Sequence, residues 1–332
     1  MDNTINKKTK KVSIITTNYN CVSKNAKTLF YEMFRSIHEQ DYPNIEHVII
    51  DGGSEDGSVE FIKEIINKYA KKEVIFISEK DRGINDATNK GYLKSSGDYI
   101  TLMCNDDYYT RPDAISILVK CLEENNADFS CGDTWWLNQK VWGCDINSFA
   151  YRHPFLINAL LLKRNLIEKP PYYLDEKYKM CADYDLFLRL LTDNNVKGSS
   201  TKEVLSILRP GGFSQSSGKL YCDDTYQIYK KFCSSKLFSR RELLRLHYER
   251  VSLITYLKIL LFCKNQNFKK SVKQLCTPHF FRKRYIKILE FFLFLKFITN
   301  WYKVEPKEHK KILNYTQKNS REWIETFYSG LY

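Results

Sequence analysis

Four short runs rich in β-branched residues, each leading into a polar and mostly acidic turn, limit this chain to very few architectures. Lys11 to Thr17 (KVSIITT) ends in Asn18-Tyr19-Asn20, and Ile45 to Ile50 (IEHVII) ends in Asp51-Gly52-Gly53-Ser54. Glu73 to Ser78 (EVIFIS) precedes Asp81-Arg82-Gly83, and Tyr99 to Met103 (YITLM) ends in Cys104-Asn105-Asp106-Asp107. Such runs read as buried strands. Between them, apolar residues at 29, 30, 33, 34 and 37 mark one face of a helix over Lys27 to His38. Val59 to Tyr69 repeats the pattern, Asp86 to Ser95 reads as a further helix, and Arg111-Pro112-Asp113 opens the next. This alternation predicts an α/β fold with a mostly parallel, doubly wound sheet, whose ligands gather beyond the carboxyl ends of the strands. Three acid-rich turns fall at that edge.

From about 128 to 215 the pattern is mixed, with Trp135, Trp136 and Trp142, a His153-Pro154 turn, a helix over Asp183 to Leu191 and glycines at 211 and 212. It reads as the second half of the same domain. Beyond Leu220 the chain reads as helical, ending in a basic, aromatic stretch from His279 to Trp301. Net charge is +13, unevenly spread: residues 226–332 carry 23 Lys and Arg against 7 Asp and Glu, whereas residues 1–225 carry 29 against 32. The carboxyl-terminal third therefore suits an anionic partner, membrane lipid or nucleic acid.

Phe291, Phe292, Phe294, Phe297 and Trp301 interleave with Arg282, Lys283, Arg284, Lys287 and Lys296, a pattern that fits a helix lying in a membrane interface or a basic helix packed on the domain. No nucleic-acid recognition motif accompanies the charge. No uncharged apolar run is long enough to span a bilayer, and the polar, basic opening MDNTINKKTKK does not resemble a signal peptide, so a cytoplasmic protein is expected. Ten cysteines, none in a Cys-x-x-Cys pair, are expected to be reduced core residues.

A nucleoside diphosphate ligand needs a hold on its base and neutralisation of its phosphates, and chemistry at its far end needs a general base. Asn105-Asp106-Asp107 suits the phosphates, because hard carboxylate oxygens at the end of a buried strand are what Mg²⁺ or Mn²⁺ prefers, with Asp107 the first choice as ligand. Two acids in a loop also serve simply to cap a strand. Asp51 suits the base, its carboxylate placed to accept from a pyrimidine imide N–H, with Thr17 and Asn20 facing the same ligand. Asp-Gly-Gly-Ser alone is equally a turn before a helix.

Asp81 and Arg82 lie in a polar, glycine-containing stretch placed to touch the nucleoside, with Asn89 and Lys90 placed to steady the loop or the phosphates. The general base is sought in Cys181-Ala182-Asp183-Tyr184-Asp185, where an aspartate opens an apolar helix, although such an aspartate is commonly a cap. His153 and the turn Gly211-Gly212-Phe213-Ser214, with Gly212 and Ser214 foremost, are weaker candidates for acceptor or phosphate contact.

Taken in order, VSIITTNYN, VIIDGGSEDGS, EKDRGINDATNKG, SGDYITLMCNDDYY and ADYDLFLRL resemble the family 2 glycosyltransferases of the GT-A fold, over roughly residues 11 to 215. The resemblance is to the bacterial branch that builds capsule, O-antigen and exopolysaccharide. It implies a GT-A domain over 11–220, with a nucleotide-binding half (about 11–107) and an acceptor half (about 108–220), after a disordered 1–10 and before a helical, basic 221–332. It implies an inverting transfer from a nucleotide sugar, a UDP-sugar being commonest, to a glycan or lipid-linked acceptor. Asp51 would contact the base, Asp107 would bind Mn²⁺ or Mg²⁺ with Asp106 supporting, and Asp183 would be the catalytic base.

Three positions depart from the family pattern: Gly52 in place of a second acid, Asn105 opening the metal motif, and Ala182 before the catalytic aspartate, which leaves Asp185 as fallback. A lipid-linked acceptor would explain peripheral membrane contact through 279–301. A dehydrogenase would carry Gly-x-Gly-x-x-Gly after the first strand and a P-loop enzyme Gly-x-x-x-x-Gly-Lys-Ser/Thr, and neither occurs. A sugar-phosphate nucleotidyltransferase, which would open on a glycine-rich basic loop, and a non-catalytic assembly subunit are the other readings.

Overall fold

The computed structural model describes residues 9–136, 140–168, 174–210, 212, 216–233, 237–248 and 252–280. Ser214 and most of 279–301 lie outside them. The chain divides into two compact units, Met1–Cys276 and Thr277–Tyr332. In the first, β1 (Val12–Asn18), α1 (Lys27–His38), β2 (Ile45–Asp51), α2 (Ser58–Tyr69), β3 (Glu73–Ser78), α3 (Ile84–Lys94) and β4 (Tyr99–Leu102) alternate as the pattern predicts. There follow β5 (Tyr108–Tyr109), α4 (Ala114–Glu124), β6 (Phe129–Trp136), β7 (Lys140–Trp142), β8 (Leu160–Lys163), α5 (Asn165–Glu168), α6 (Ala182–Thr192) and β9 (Gly198–Leu208). Four helices close the described chain: α7 (Gly218–Tyr229), α8 (Arg240–His247), α9 (Leu253–Phe262) and α10 (Gln266–Phe280).

One sheet runs β3-β2-β1-β4-β8-β6-β9-β5, with β7 paired to β6. The first four strands are parallel, β8 is antiparallel to both neighbours, and β6 and β9 are parallel again. β6 and β9 thus point the same way as β1 and β4, so the carboxyl ends of strands from both halves share one edge. Strand alternation sends Ile14 and Ile49 into a core under α1, α2 and α4, and Ile15, Val48 and Ile50 into a second core on the other face. That second core includes Ile228, Tyr229, Leu243, Leu246, Ile259, Phe268 and Val272, so α7 to α10 contribute to the same apolar cluster as the sheet.

The expectation of ten reduced thiols fails at one pair: Cys131 and Cys144 are joined, because the β6–β7 hairpin folds residue 144 back beside 131, with a Cα–Cα separation of 6.7 Å. Among the described residues no helix is long and apolar enough to cross a membrane.

Candidate functional site

The shared edge is wired from its own residues. Asp51, at the end of β2, is 0% exposed. One carboxylate oxygen accepts from Asn18 Nδ2 (2.8 Å) and Ser54 Oγ (2.6 Å), the other from the Gly53 and Ser54 amides (3.2 and 2.9 Å) and Ser78 Oγ (2.8 Å). The expectation that Asp51 offers its carboxylate to a base therefore meets a group already satisfied; it fixes the turn that follows β2 and ties β1, β2 and β3 together. Asn18 then accepts from Asn105 Nδ2 at 3.1 Å. With its amide N–H committed to Asp51, Asn18 presents only oxygen at that point, which calls for a donor at 105 and accounts for asparagine there.

Asp81 lies over this turn. A Cβ at Gly52 would collide with Asp81 Oδ2 and stand 3.3 Å from the Tyr19 ring, so the place of the second acid in the turn is taken by a carboxylate from the following loop. Asp81 Oδ1 accepts from the Gly83 amide at 2.8 Å and the residue is part-exposed. The Arg82 side chain is 73% exposed and pairs with Asp86 (2.7 Å) and Glu176 (2.9 Å), an acid from the second half of the domain. Thr17 is buried at the end of β1, and Asn20 takes a left-handed φ of 53° with its amide on Ser54 Oγ (2.7 Å). Both adjoin the Asp51 turn.

The turn after β4 closes on itself, the Asp107 amide donating to the Cys104 carbonyl at 3.2 Å. It gathers Cys104 Sγ and carboxylate oxygens of Asp106 and Asp107 within 4.8 Å of one another. Asp107 is 1% exposed and held by the Arg209 amide (2.8 Å) and Asn158 Nδ2 (3.3 Å). Arg209 also reaches the Asp106 carbonyl (2.8 Å), pairs with Glu32 and lies over the Tyr108 ring. Burial, then the neighbouring Asp106, raises Asp107 well above the carboxylate range, and burial raises Asp106. Two desolvated carboxylates side by side favour a cation between them, so the donor set fits a divalent ion. Gly212 stands against this cluster, its Cβ position 3.1 Å from Asp106 Oδ2.

Asp183 sits in the first turn of α6, part-exposed, accepting from the Tyr184 amide at 2.8 Å. It is not the cap. The helix start is held from outside by buried Asp224 of α7, which accepts from the Met180 and Cys181 amides (2.7 and 3.3 Å). The Asp183 charge raises the pKa of Cys104, Tyr92 and Tyr221 and opposes the lowering at His153, so its carboxylate lies within electrostatic range of the Cys104–Asp107 turn. Asp185, the fallback, is 1% exposed and spent on Arg189 (2.8 Å) and Lys231. The His153 ring stacks on Tyr184 at 4.5 Å; burial lowers its pKa, Asp183 opposes that, and its buried Nε2 has no hydrogen-bond partner.

Sequence reasoning missed Cys104, Asn158, Arg209 and Asp224. Cys104 adjoins a flagged motif and Arg209 precedes a flagged glycine turn, so both had a local signal; Asn158 and Asp224 had none.

A sheet edge of this build, with acids at the strand ends and a cation-suited turn, defines a mixed α/β domain with a candidate cation site. Residues 13–174, just under half of the chain, match the family model described as glycosyl transferase family 2. It is 33% identical over 104 residues to glycosyltransferase GlyA of Streptococcus pneumoniae (31% of this chain, 14% of that protein), and 39% identical over 84 residues to an uncharacterized glycosyltransferase of Haemophilus influenzae (25% and 33%). The chain thus spans a third or less of these two relatives.

Among solved structures, Staphylococcus aureus TarS 1–349 in complex with UDP-GlcNAc superposes with a TM-score of 0.55 (16% identity, 72% of each chain). Mannosyltransferase PcManGT of Pyrobaculum calidifontis, in complex with GDP-Man and Mn²⁺, gives 0.56 (16% identity, 89% of this chain and 81% of that one). These likenesses support the mixed α/β, GT-A fold.

Proposed function

We propose that the chain is an inverting glycosyltransferase that moves a sugar from a nucleoside diphosphate sugar, a UDP-sugar by preference, to a hydroxyl of a glycan or lipid-linked glycan in bacterial surface polysaccharide assembly. The observation that carries this reading is Asp183, a part-exposed carboxylate on a rigid helix start, within electrostatic range of the Cys104–Asp107 turn. Asp183 removes the proton of the acceptor hydroxyl as its oxygen bonds to the anomeric carbon. The bond from that carbon to the diphosphate oxygen breaks on the opposite face, so one displacement inverts the centre.

Asp107, with Asp106 beside it, would hold Mn²⁺ or Mg²⁺, which when bound neutralises the charge that develops on the leaving diphosphate. Asp51 keeps the base-side turn in shape, and Thr17, Asn20, Asp81 and Arg82 line it. His153, Gly212 and, from the sequence alone, Ser214 are assigned to acceptor or phosphate contact. The solved complexes of TarS with UDP-GlcNAc and of PcManGT with GDP-Man and Mn²⁺ support a nucleotide-sugar donor. We further place the protein on the cytoplasmic face of a membrane, touching it through 279–301, where basic and aromatic residues interleave.

Calorimetric titration with UDP, GDP, dTDP and CDP, each with and without Mn²⁺, tests the donor site. Cation-dependent binding of one nucleotide is expected. Binding of none overturns the reading.

A further inference from the structure

The Cys104 thiol stands apart from the other described free cysteines. Cys21 bonds Ser58 Oγ (3.3 Å), Cys121 bonds Ser199 Oγ (3.5 Å), Cys181 the Tyr221 carbonyl (3.7 Å), Cys222 the Tyr248 hydroxyl (3.7 Å) and Cys263 the Asn265 carbonyl (3.9 Å), while Cys233 bonds Cys263. Among the described free cysteines only Cys104 has no hydrogen-bond partner. Its sulfur instead faces two carboxylates, and the three donor atoms lie within 4.8 Å of one another.

A metal–sulfur bond of about 2.3 Å and a metal–oxygen bond of about 2.1 Å span at most about 4.4 Å when opposed, so one ion can touch all three donors once they draw together around it. The backbone already arranges this: the Asp107 amide on the Cys104 carbonyl folds residues 104 to 107 into a tight turn.

From this we infer that Cys104 is a third protein ligand of the cation, so that the site is a sulfur–oxygen site that prefers borderline and soft dications, Mn²⁺ through Co²⁺ to Zn²⁺ and Cd²⁺, over Mg²⁺. On binding, the S–H proton leaves to water and the thiolate sulfur bonds the ion. The physical reason is the softness of sulfur: an all-oxygen set suits Mg²⁺, while a thiolate adds affinity only for ions that polarise. The inference rests on the proposed cation site but not on the transfer reaction.

Co²⁺ titration of the full chain, followed by near-ultraviolet absorbance, is the test, because thiolate bonded to cobalt gives a charge-transfer band that oxygen donors do not. The wild type should develop the band at one equivalent. Cys104→Ser should lose it and should cut the ratio of Cd²⁺ to Mg²⁺ affinity by about tenfold or more. Cys104→Ala, checked for fold by circular dichroism, guards against a serine that still binds.

No band in the wild type, or a band that survives both substitutions, overturns the proposal. UDP titrated into the same samples separates the two readings. A cobalt band without nucleotide binding sinks the donor site and leaves the cysteine ligand standing, whereas cobalt-dependent UDP binding without a band does the reverse.

Discussion

The two halves of the domain treat buried polar groups in opposite ways. Up to β3 the chain satisfies its own charges: Asp51 takes five hydrogen bonds, and buried Glu46 takes bonds from Ser13, the Ser96 amide and hydroxyl, the Gly97 amide and Lys11. Even the buried histidines are relayed. His38 Nδ1 accepts from the Lys71 and Lys72 amides, which assigns its Nε2–H to His47 Nδ1 (3.2 Å) and the His47 Nε2–H to Thr16 Oγ1 (3.0 Å).

From β4 onward the groups near the edge are left incomplete. Trp136 Nε1 and His153 Nε2 are buried without partners, Cys104 has none, and Asp106 and Asp107 oppose each other. Unsatisfied buried groups cost about 1–3 kcal/mol each. A chain that completes one half of its site and leaves the other open has a preformed scaffold on one side and, on the proposed reading, places for a cation and an acceptor on the other.

The strongest way to break this contrast is at Asp183. Asp183→Asn should lower kcat by about 10²- to 10⁴-fold while leaving nucleotide affinity unchanged, since removal of the proposed general base spares the wired half. Transfer at more than a tenth of the wild-type rate in a coupled UDP-release assay would return the role to another group.

Next come the two buried aspartates, which should respond with opposite sign. Asp51→Ala strands donors on β1, β3 and the turn after β2 and should cost about 2–4 kcal/mol in urea unfolding, cation or not. Asp107→Asn removes a carboxylate whose charged form burial and Asp106 disfavour, so without cation its stability should stay level or rise. Wild type should gain about 2.7 kcal/mol from Mn²⁺ at a hundredfold excess over Kd, and this variant should gain none. Equal losses in both variants would erase the distinction between the halves.

Acid should strike the wired half first. Burial, then Lys72 and Lys71, lowers His38 from 6.5 to about 4, and burial lowers His47 further below its ordinary value. Between those limits the unfolded chain binds more protons than the folded one, so stability is full above about 6.5 and falls as pH drops towards 4. The His38 shift alone amounts to about 3 kcal/mol. Urea midpoints that stay flat from pH 7 to 4.5 would show that the relay does not hold these rings neutral.

The same contrast explains what could be read from the chain alone. β1 to β4, with the helices between them, were legible because parallel strands in the body of a covered sheet leave continuous β-branched runs and each is punctuated by a polar turn, whereas the two-residue β5 (Tyr108–Tyr109) was too short to read. β6 and β9 were not: Phe-Ser-Cys-Gly-Asp-Thr-Trp-Trp and Gly-Ser-Ser-Thr-Lys-Glu carry polar residues that pair across strands, as Thr134 does with Ser206 at 2.8 Å. Asp51, Asp107 and Asp183 stood out through motif order. Asn158 and Asp224, which orient Asp107 and the start of α6, are contributed by residues 51 and more than 40 positions away, and no local pattern announces them.

The smallest effect falls at the joint between the halves. Asn105 Nδ2 donates to Asn18 Oδ1, while Asn18 Nδ2 donates to Asp51. Asn105→Asp sets carboxylate against carbonyl at that contact and adds a third acid next to Asp106 and Asp107. Without cation the variant should lose about 1 kcal/mol of stability. With Mn²⁺ it should recover part or all of the loss, because the new carboxylate joins a site that a dication neutralises. Unfolding curves for both proteins, with and without Mn²⁺, give the comparison directly. A loss that Mn²⁺ leaves untouched would mean that residue 105 belongs to the wired half alone, and no loss at all would mean that the Asn18 amide is free to turn over.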